Sequence, residues 1–197
     1  MSQIPALSDT DLLAVMVGPR TAQQMLKKAS GSLATLLLND AVAAYEVLPK
    51  VQARLQAARE LVRRSLLEVL RQRDCLLSPE SVRDFLRVTL EGRDHEAFLV
   101  MFLDGQNRVI ATEEMFRGTL TQTSVYPREV VKRSLYHNAG AVIFAHNHPS
   151  GMAEPSRADE ALTRVLKEAL ALVDIKVLDH FVIGAASALS FAERGLL

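Results

Sequence analysis

A short apolar run, Ala141 to Ala145, leads without a break into His146-Asn147-His148-Pro149-Ser150-Gly151, and a second periodic stretch begins at Ser156. No other part of the chain so narrowly limits how it can fold. A brief apolar run bounded by turn residues reads as a buried strand. Pro149 cannot extend a helix backwards over the histidines, and Pro149-Ser150-Gly151 turns the chain. Ser156 then reads as the N-cap of a helix whose apolar residues are Leu162, Val165, Leu166, Ala169 and Leu170. Alternate residues of an extended segment point to one side, so His146 and His148 can face a single point. The turn must bring Asp159, in the first turn of that helix, back to the same point.

Two imidazoles and a carboxylate suit Zn²⁺, and three protein ligands leave one position open for water or substrate. An open position belongs to a catalytic metal, so the stretch points to a reaction, and hydrolysis is the first expectation. Ser156-x-x-Asp159 also matches a capping box by itself. That reading is compatible with the metal reading, but it leaves the paired histidines unexplained. Hydrolysis at zinc needs a general base for the water. The candidates are Glu96, Glu113, Glu114, Glu129 and Glu154. Glu96 is the odd one, a charge at the head of the apolar run Ala97 to Leu103, whereas the adjacent Glu113 and Glu114 read as solvated. His180, on a strand expected to be buried, reads as a supporting residue rather than a ligand. His95 reads as exposed, and His137 as a helix-end charge.

The rest of the chain supplies the frame. Residues 1–73 read as helical. Ser8 and Asp11 form a possible capping box, Gly18-Pro19 ends the first helix, and a second runs through Met25 and Leu26 to Gly31. A longer helix starts at Pro49 with Leu55, Ala58, Val62, Leu66 and Val69 on one face, and its arginines read as a solvated face. Arg73 to Leu77 reads as a linker. Ser78-Pro79 opens a further helix. Glu96 to Leu103 reads as a buried strand, Asp104-Gly105 as a hairpin turn, Arg108 to Ala111 as its partner and Thr119 to Val125 as a third strand. Pro127 opens a helix that closes near Gly140, and Ile175 to Ile183 reads as the last strand. The expectation is an α/β (α+β) domain over 76–197, a mixed sheet flanked by helices, preceded by a small all-helical domain over 1–75.

Composition removes several classes. The chain of 197 residues has one cysteine, Cys75, which excludes an internal disulfide and a Cys-rich zinc site and leads us to expect a cytoplasmic setting. Beside Leu76 and Leu77 that thiol reads as inert. No apolar run is long enough for a membrane span. Formal net charge is zero, with ten Lys/Arg against seven Asp/Glu in residues 1–75, a bias that permits only a weak contact with nucleic acid.

His146-x-His148-Pro149, with Ser156 and Asp159 at these offsets, resembles the JAMM (MPN+) metalloprotease signature. The fuller string His-Asn-His-Pro-Ser-Gly, then Pro155-Ser156-x-x-Asp159 and Leu178-Asp179-His180-Phe181, is similar to the bacterial RadC-like branch. The resemblance covers roughly Ser78 to Leu197. It implies a sheet architecture related to cytidine deaminases, although the Pro-Cys-x-x-Cys segment of a deaminase is missing. It further implies one zinc per chain on His146, His148 and Asp159. Glu96 would be the general acid/base and Ser156 would stabilise the oxyanion. A protein or peptide substrate is implied, joined in many members through an isopeptide bond. RadC-like proteins are associated with DNA repair, which gives a second reading as a non-enzymatic DNA-binding protein. Their N-terminal region often resembles a helix-hairpin-helix module with a Gly-x-Gly turn, but here the corresponding Leu48-Pro49-Lys50-Val51-Gln52 has neither glycine. The close approach to phosphate that glycine permits is thereby lost.

Overall fold

The computed structural model describes residues 4, 7–38, 49–118, 125–185 and 187–197, and divides into two units, Met1–Val62 and Arg63–Leu197. In the first unit, helix α1 (Asp9–Val17) is capped by Ser8, whose Oγ accepts from the Asp11 amide at 3.2 Å. Gly18 adopts φ 88°, which closes α1 and opens α2 (Pro19–Lys28) with proline at its first position. A short α3 (Leu33–Leu38) and the start of α4 (Pro49–Gln72) complete the unit. Leu13, Val17, Ala22, Met25, Leu26, Leu36, Val51 and Leu55 form its core. The Arg54 guanidinium donates to the Met16 carbonyl at 2.9 Å and fastens α4 to the end of α1.

Helix α4 corrects one expectation. Leu55 is buried and Leu66 half-buried, but Val62 is 52% and Val69 36% exposed, while Leu70 is buried instead. Val51 and Leu55 serve the first unit's core; Leu66, Leu67 and Leu70 serve the second's. Periodicity gives the direction of a side chain, not whether a neighbour lies there. Val62 is the last residue of its unit and belongs to neither core. Residues Cys75–Leu77, read as a linker, form a 3₁₀ turn capped by Asp74, with Cys75 buried in the second core. Burial first, then the Asp74 and Asp104 charges, push its thiol up to about 12, which disfavours the reactive thiolate.

The second unit is a mixed sheet covered on both faces. Helix α5 (Pro79–Leu90) precedes strands β1 (Ala97–Leu103) and β2 (Val109–Arg117). Helix α6 (Pro127–Tyr136), β3 (Ala141–Asn147), α7 (Arg157–Ala171), β4 (Lys176–Ile183), β5 (Ala188–Ser190) and α8 (Phe191–Arg194) follow. The sheet order is β2-β1-β3-β4-β5. Among the described residues only β3 and β4 pair in parallel, and α7 between them supplies the crossover that parallel strands need. On one face Leu99, Met101, Leu103, Ile143, Ala145, Phe181 and Ile183 pack against Val82, Phe85, Leu86 and Leu90 of α5. On the other, Phe98, Val100, Phe102, Val142, Phe144 and Val177 meet Val130 of α6 and Leu166 and Leu170 of α7. Every residue of β1 is buried. Each large side chain in such a strand contributes about 1.5–3 kcal/mol relative to exposure.

The β1–β2 turn rests on Asp104, whose Oδ1 accepts the Gln106 and Arg108 amides at 2.8 and 3.0 Å. β2 runs on to Arg117, well past the expected Ala111. Glu113 and Glu114 lie within it and are not simply solvated. Glu113 accepts from Arg133 Nε at 2.7 Å and faces His137 Nε2 at 2.7 Å. Glu114 pairs with Arg93. Charges that find partners on both faces of an edge strand let the strand continue. The strand expected at Thr119–Val125 falls, over 119–124, outside the described residues. Among the described residues no helix is long and apolar enough to cross a membrane.

Candidate metal centre

His146 is the sixth residue of β3, paired with Phe98 on β1 and Val182 on β4. One residue past the strand, the His148 amide still donates to the Ile183 carbonyl at 3.0 Å, so the extended geometry persists through both histidines. Their rings therefore emerge on the same side. Ser156 caps α7 and Asp159 completes a capping box: Ser156 Oγ accepts the Asp159 amide at 3.2 Å, and Asp159 Oδ2 accepts the Ser156 amide at 2.7 Å. The box and the convergence of ligands occur together.

The three side chains meet. His146 Nε2 and His148 Nε2 are 3.0 Å apart; His146 Nε2 lies 3.5 Å from Asp159 Oδ1, and His148 Nε2 lies 3.5 Å from Asp159 Oδ2. One ligand atom from each of the three residues lies within 4.8 Å of the others, close to the edges of about 3.3–3.4 Å that a tetrahedral zinc with arms of about 2.0–2.1 Å would set. The donor chemistry also fits. The Met152 carbonyl, 2.8 Å from His148 Nδ1, can only accept, so Nδ1 carries the proton and a neutral His148 turns its Nε2 lone pair towards the cluster. Asp159 Oδ2 already accepts from the Ser156 amide and hydroxyl, both at 2.7 Å, which leaves Oδ1 for a metal.

The charges match this arrangement. Burial is the largest influence on Asp159 and would raise its pKa. The His146 and His148 rings, when they carry a proton on Nε2, outweigh it and hold the carboxyl far below the usual range. The hydrogen bond to Asp159 raises His148, opposed by burial and aided by the Met152 carbonyl and the charges of Asp159 and Glu96. Glu96 is thus close enough for its charge to be felt at His148. It is half-buried, immediately before β1, with its carbonyl accepting from the Gly118 amide at 2.8 Å. Each other carboxylate candidate is engaged elsewhere: Glu113 with Arg133, Glu114 with Arg93, Glu129 with Lys132 and Glu154 with Arg194.

Ser156 is exposed, and its one hydroxyl proton is donated to Asp159 Oδ2. His95 is not the exposed residue expected: its side chain is only 15% exposed and its Nδ1 lies 2.7 Å from Asp94 Oδ1. Two supporting residues escaped sequence reasoning. Asn147 points away from its neighbours, accepts the Ala97 amide and donates to the His95 carbonyl, both at 2.9 Å. It therefore clamps the backbone on either side of Glu96. Its place between the histidines was the only signal. Thr163, on α7, contacts His180 Nδ1 at 2.6 Å, and His180 Nε2 is 2.8 Å from His146 Nδ1. Nothing in the spacing of these three residues marks them as a group.

The backbone around the site is tight. A Cβ on Gly184 would stand 2.4 Å from the Gly151 carbonyl oxygen and 2.9 Å from the Ala153 nitrogen. Glycine there lets the loop carrying Met152 lie against the end of β4. Beside that loop runs a groove of about 670 Å³ lined by Met152, Glu154, Ser187, Leu189, Ser190 and Arg194, along the edge strand β5.

A family model described as the RadC-like JAB domain matches residues 76–196. A UPF0758 protein of Nitrosospira multiformis is 55% identical over 204 residues, covering 97% of this chain and 90% of the relative. Relatives under the same designation from Nitrosomonas europaea and Dechloromonas aromatica are 52% and 55% identical, each covering 98% of this chain and 90% of the relative.

Proposed function

We propose, from the premise that this chain belongs to the RadC-like JAB domain family, that it is a zinc-dependent hydrolase of the JAMM type acting on a peptide or isopeptide bond. The observation that carries this reading is the convergence of two imidazole nitrogens, 3.0 Å apart, and a carboxylate on one strand end and one helix start, with one ligand atom from each within 4.8 Å of the others. His146, His148 and Asp159 would hold the metal. Zinc, when bound, supplies Lewis acidity, polarising a scissile carbonyl and lowering the pKa of a coordinated water to roughly 7.

The protein's residues do the rest. Glu96 takes a proton from the attacking water and passes it to the leaving amine. Its support is position: its charge acts on His148 while the other candidate carboxylates are held in ion pairs. Asn147 holds the backbone at His95 and Ala97 and so fixes where Glu96 stands. Ser156 orients Asp159, and to serve an oxyanion its hydroxyl exchanges the bond to Asp159 Oδ2 for one to the developing charge. The groove along β5 supports an extended polypeptide as the substrate class, because an edge strand offers unpaired backbone groups to a partner strand.

The test is a comparison of the zinc-loaded full chain with Glu96→Gln and Asp159→Ala, using a peptide library and mass-spectrometric reading of new termini. Glu96→Gln is expected to keep zinc and lose at least about 10²-fold in cleavage, the usual range for a general base. Asp159→Ala is expected to lose zinc. Full cleavage by Glu96→Gln removes the base assignment; tight zinc in Asp159→Ala removes the ligand assignment.

A further inference from the structure

His146 has a second ring nitrogen, and the groups behind it form a closed path. Thr163 Oγ1 lies 2.6 Å from the Asp159 backbone carbonyl, one helical turn earlier. A carbonyl only accepts, so the hydroxyl donates to it and its single proton is spent. The same Oγ1 lies 2.6 Å from His180 Nδ1, where it can then only accept. His180 Nδ1 therefore carries a proton. His180 is fully buried, with the rings of Phe98, Phe144 and Phe191 at 5.6, 5.8 and 4.8 Å. An apolar enclosure disfavours an imidazolium, so the ring is neutral and its other nitrogen is bare. That bare Nε2 is 2.8 Å from His146 Nδ1 and must accept from it. His146 thus holds its proton on Nδ1 and turns its lone pair, on Nε2, into the ligand cluster.

We infer that His180 and Thr163 are positioning residues: they form a one-directional hydrogen-bond relay that starts at the Asp159 carbonyl and sets the tautomer of His146 so that its lone pair faces the metal position. The inference rests on the zinc reading above for its purpose, but not for its geometry. Its consequence is specific. With neutral His148 fixed by Met152, the two Nε2 lone pairs lie 3.0 Å apart, an arrangement that a cation bound by both would relieve. The relay also ties the helix that carries Asp159 to the strand that carries His146, so two ligands on separate elements are held by one set of bonds. Hydrogen bonds of this kind to ligating histidines typically change metal affinity by about 10–100-fold when removed. Without the Thr163 oxygen, His180 can shift its proton to Nε2, and His146 would then present an N–H to the metal position.

Two readouts test this on the full chain. Long-range ¹H–¹⁵N correlation of the imidazole rings, in metal-free protein at alkaline pH, is expected to show His146 protonated on Nδ1 and His180 also on Nδ1. Zinc affinity by chelator competition is expected to fall about tenfold or more in Thr163→Val and to recover in Thr163→Ser, which restores the hydroxyl. A His146 proton on Nε2 in the unaltered chain overturns the relay, and needs no variant to fold. Wild-type affinity in a folded Thr163→Val also overturns it. An unaltered chain with the Nδ1 tautomers that takes up no zinc would leave the relay standing and remove the metal reading, so the two failures are distinct.

Discussion

His148 holds its proton more tightly than an isolated histidine, chiefly because Asp159 hydrogen-bonds its ring, with burial working the other way. A zinc ligand must give that proton up, so metal and proton compete at Nε2. Zinc affinity is therefore expected to decline as pH falls, starting above the ordinary imidazole value of about 6.5. In the metal-free chain the sign reverses. The raised folded-state pKa contributes stability that is fully present below the unfolded value and is lost as pH rises through the folded one. Chelator competition across a pH series reads the first effect; affinity independent of pH down to acid conditions would contradict it. At this scale the three candidate ligands, which the structure brings together, stand out because they lie within fourteen residues of sequence, with the period of a strand and the offset of a cap. Thr163 and the clamping role of Asn147 were not, and His180, read as a supporting residue, gave no sign of which residues it supports. Their partners are brought together by the pairing of β3 with β4 and β1, which no local pattern reports.

Each element depends on how closely its neighbours approach. The loop over residues 151–153 holds the Met152 carbonyl against His148, and it can do so because Gly184 has no side chain. In Gly184→Ala the new methyl would meet backbone atoms at 2.4 and 2.9 Å, which cannot swing aside as a flexible side chain would. The expected cost is about 1–3 kcal/mol in denaturant unfolding, with weaker zinc binding as the loop moves away from His148. Unchanged stability and unchanged zinc affinity would show that the loop does not depend on this contact. Helix starts were readable from Ser8, Pro49, Pro79, Pro127 and Ser156, because caps and prolines act locally, whereas Pro19 was read only as the end of α1 and also opens α2. The reach of β2 was not, because Glu113 and Glu114 look like surface charges until Arg133, His137 and Arg93 are known to face them. Val62 and Val69 failed for the opposite reason: the stripe is real, since Leu55 is buried on it, but these two valines stand exposed.

Over the whole molecule, the division between a helical first part and a mixed sheet was visible as a change from helical periodicity to continuous apolar runs. All three candidate ligands lie in the unit Arg63–Leu197, and among the described residues no such group lies in Met1–Val62. Zinc is therefore expected to stabilise the second unit, by about 2.7 kcal/mol when free zinc is a hundredfold above its dissociation constant. Hydrogen exchange should slow in β3, β4 and the first turns of α7, with the first unit unchanged. Equal slowing in both units would contradict a site confined to the second. The most direct measurement is the metal content of the purified full chain, by elemental analysis, beside a His146→Ala/His148→Ala double variant. The account predicts one zinc per chain, lost in the variant. No metal, with no tight uptake on titration, or equal zinc in both proteins, would contradict it.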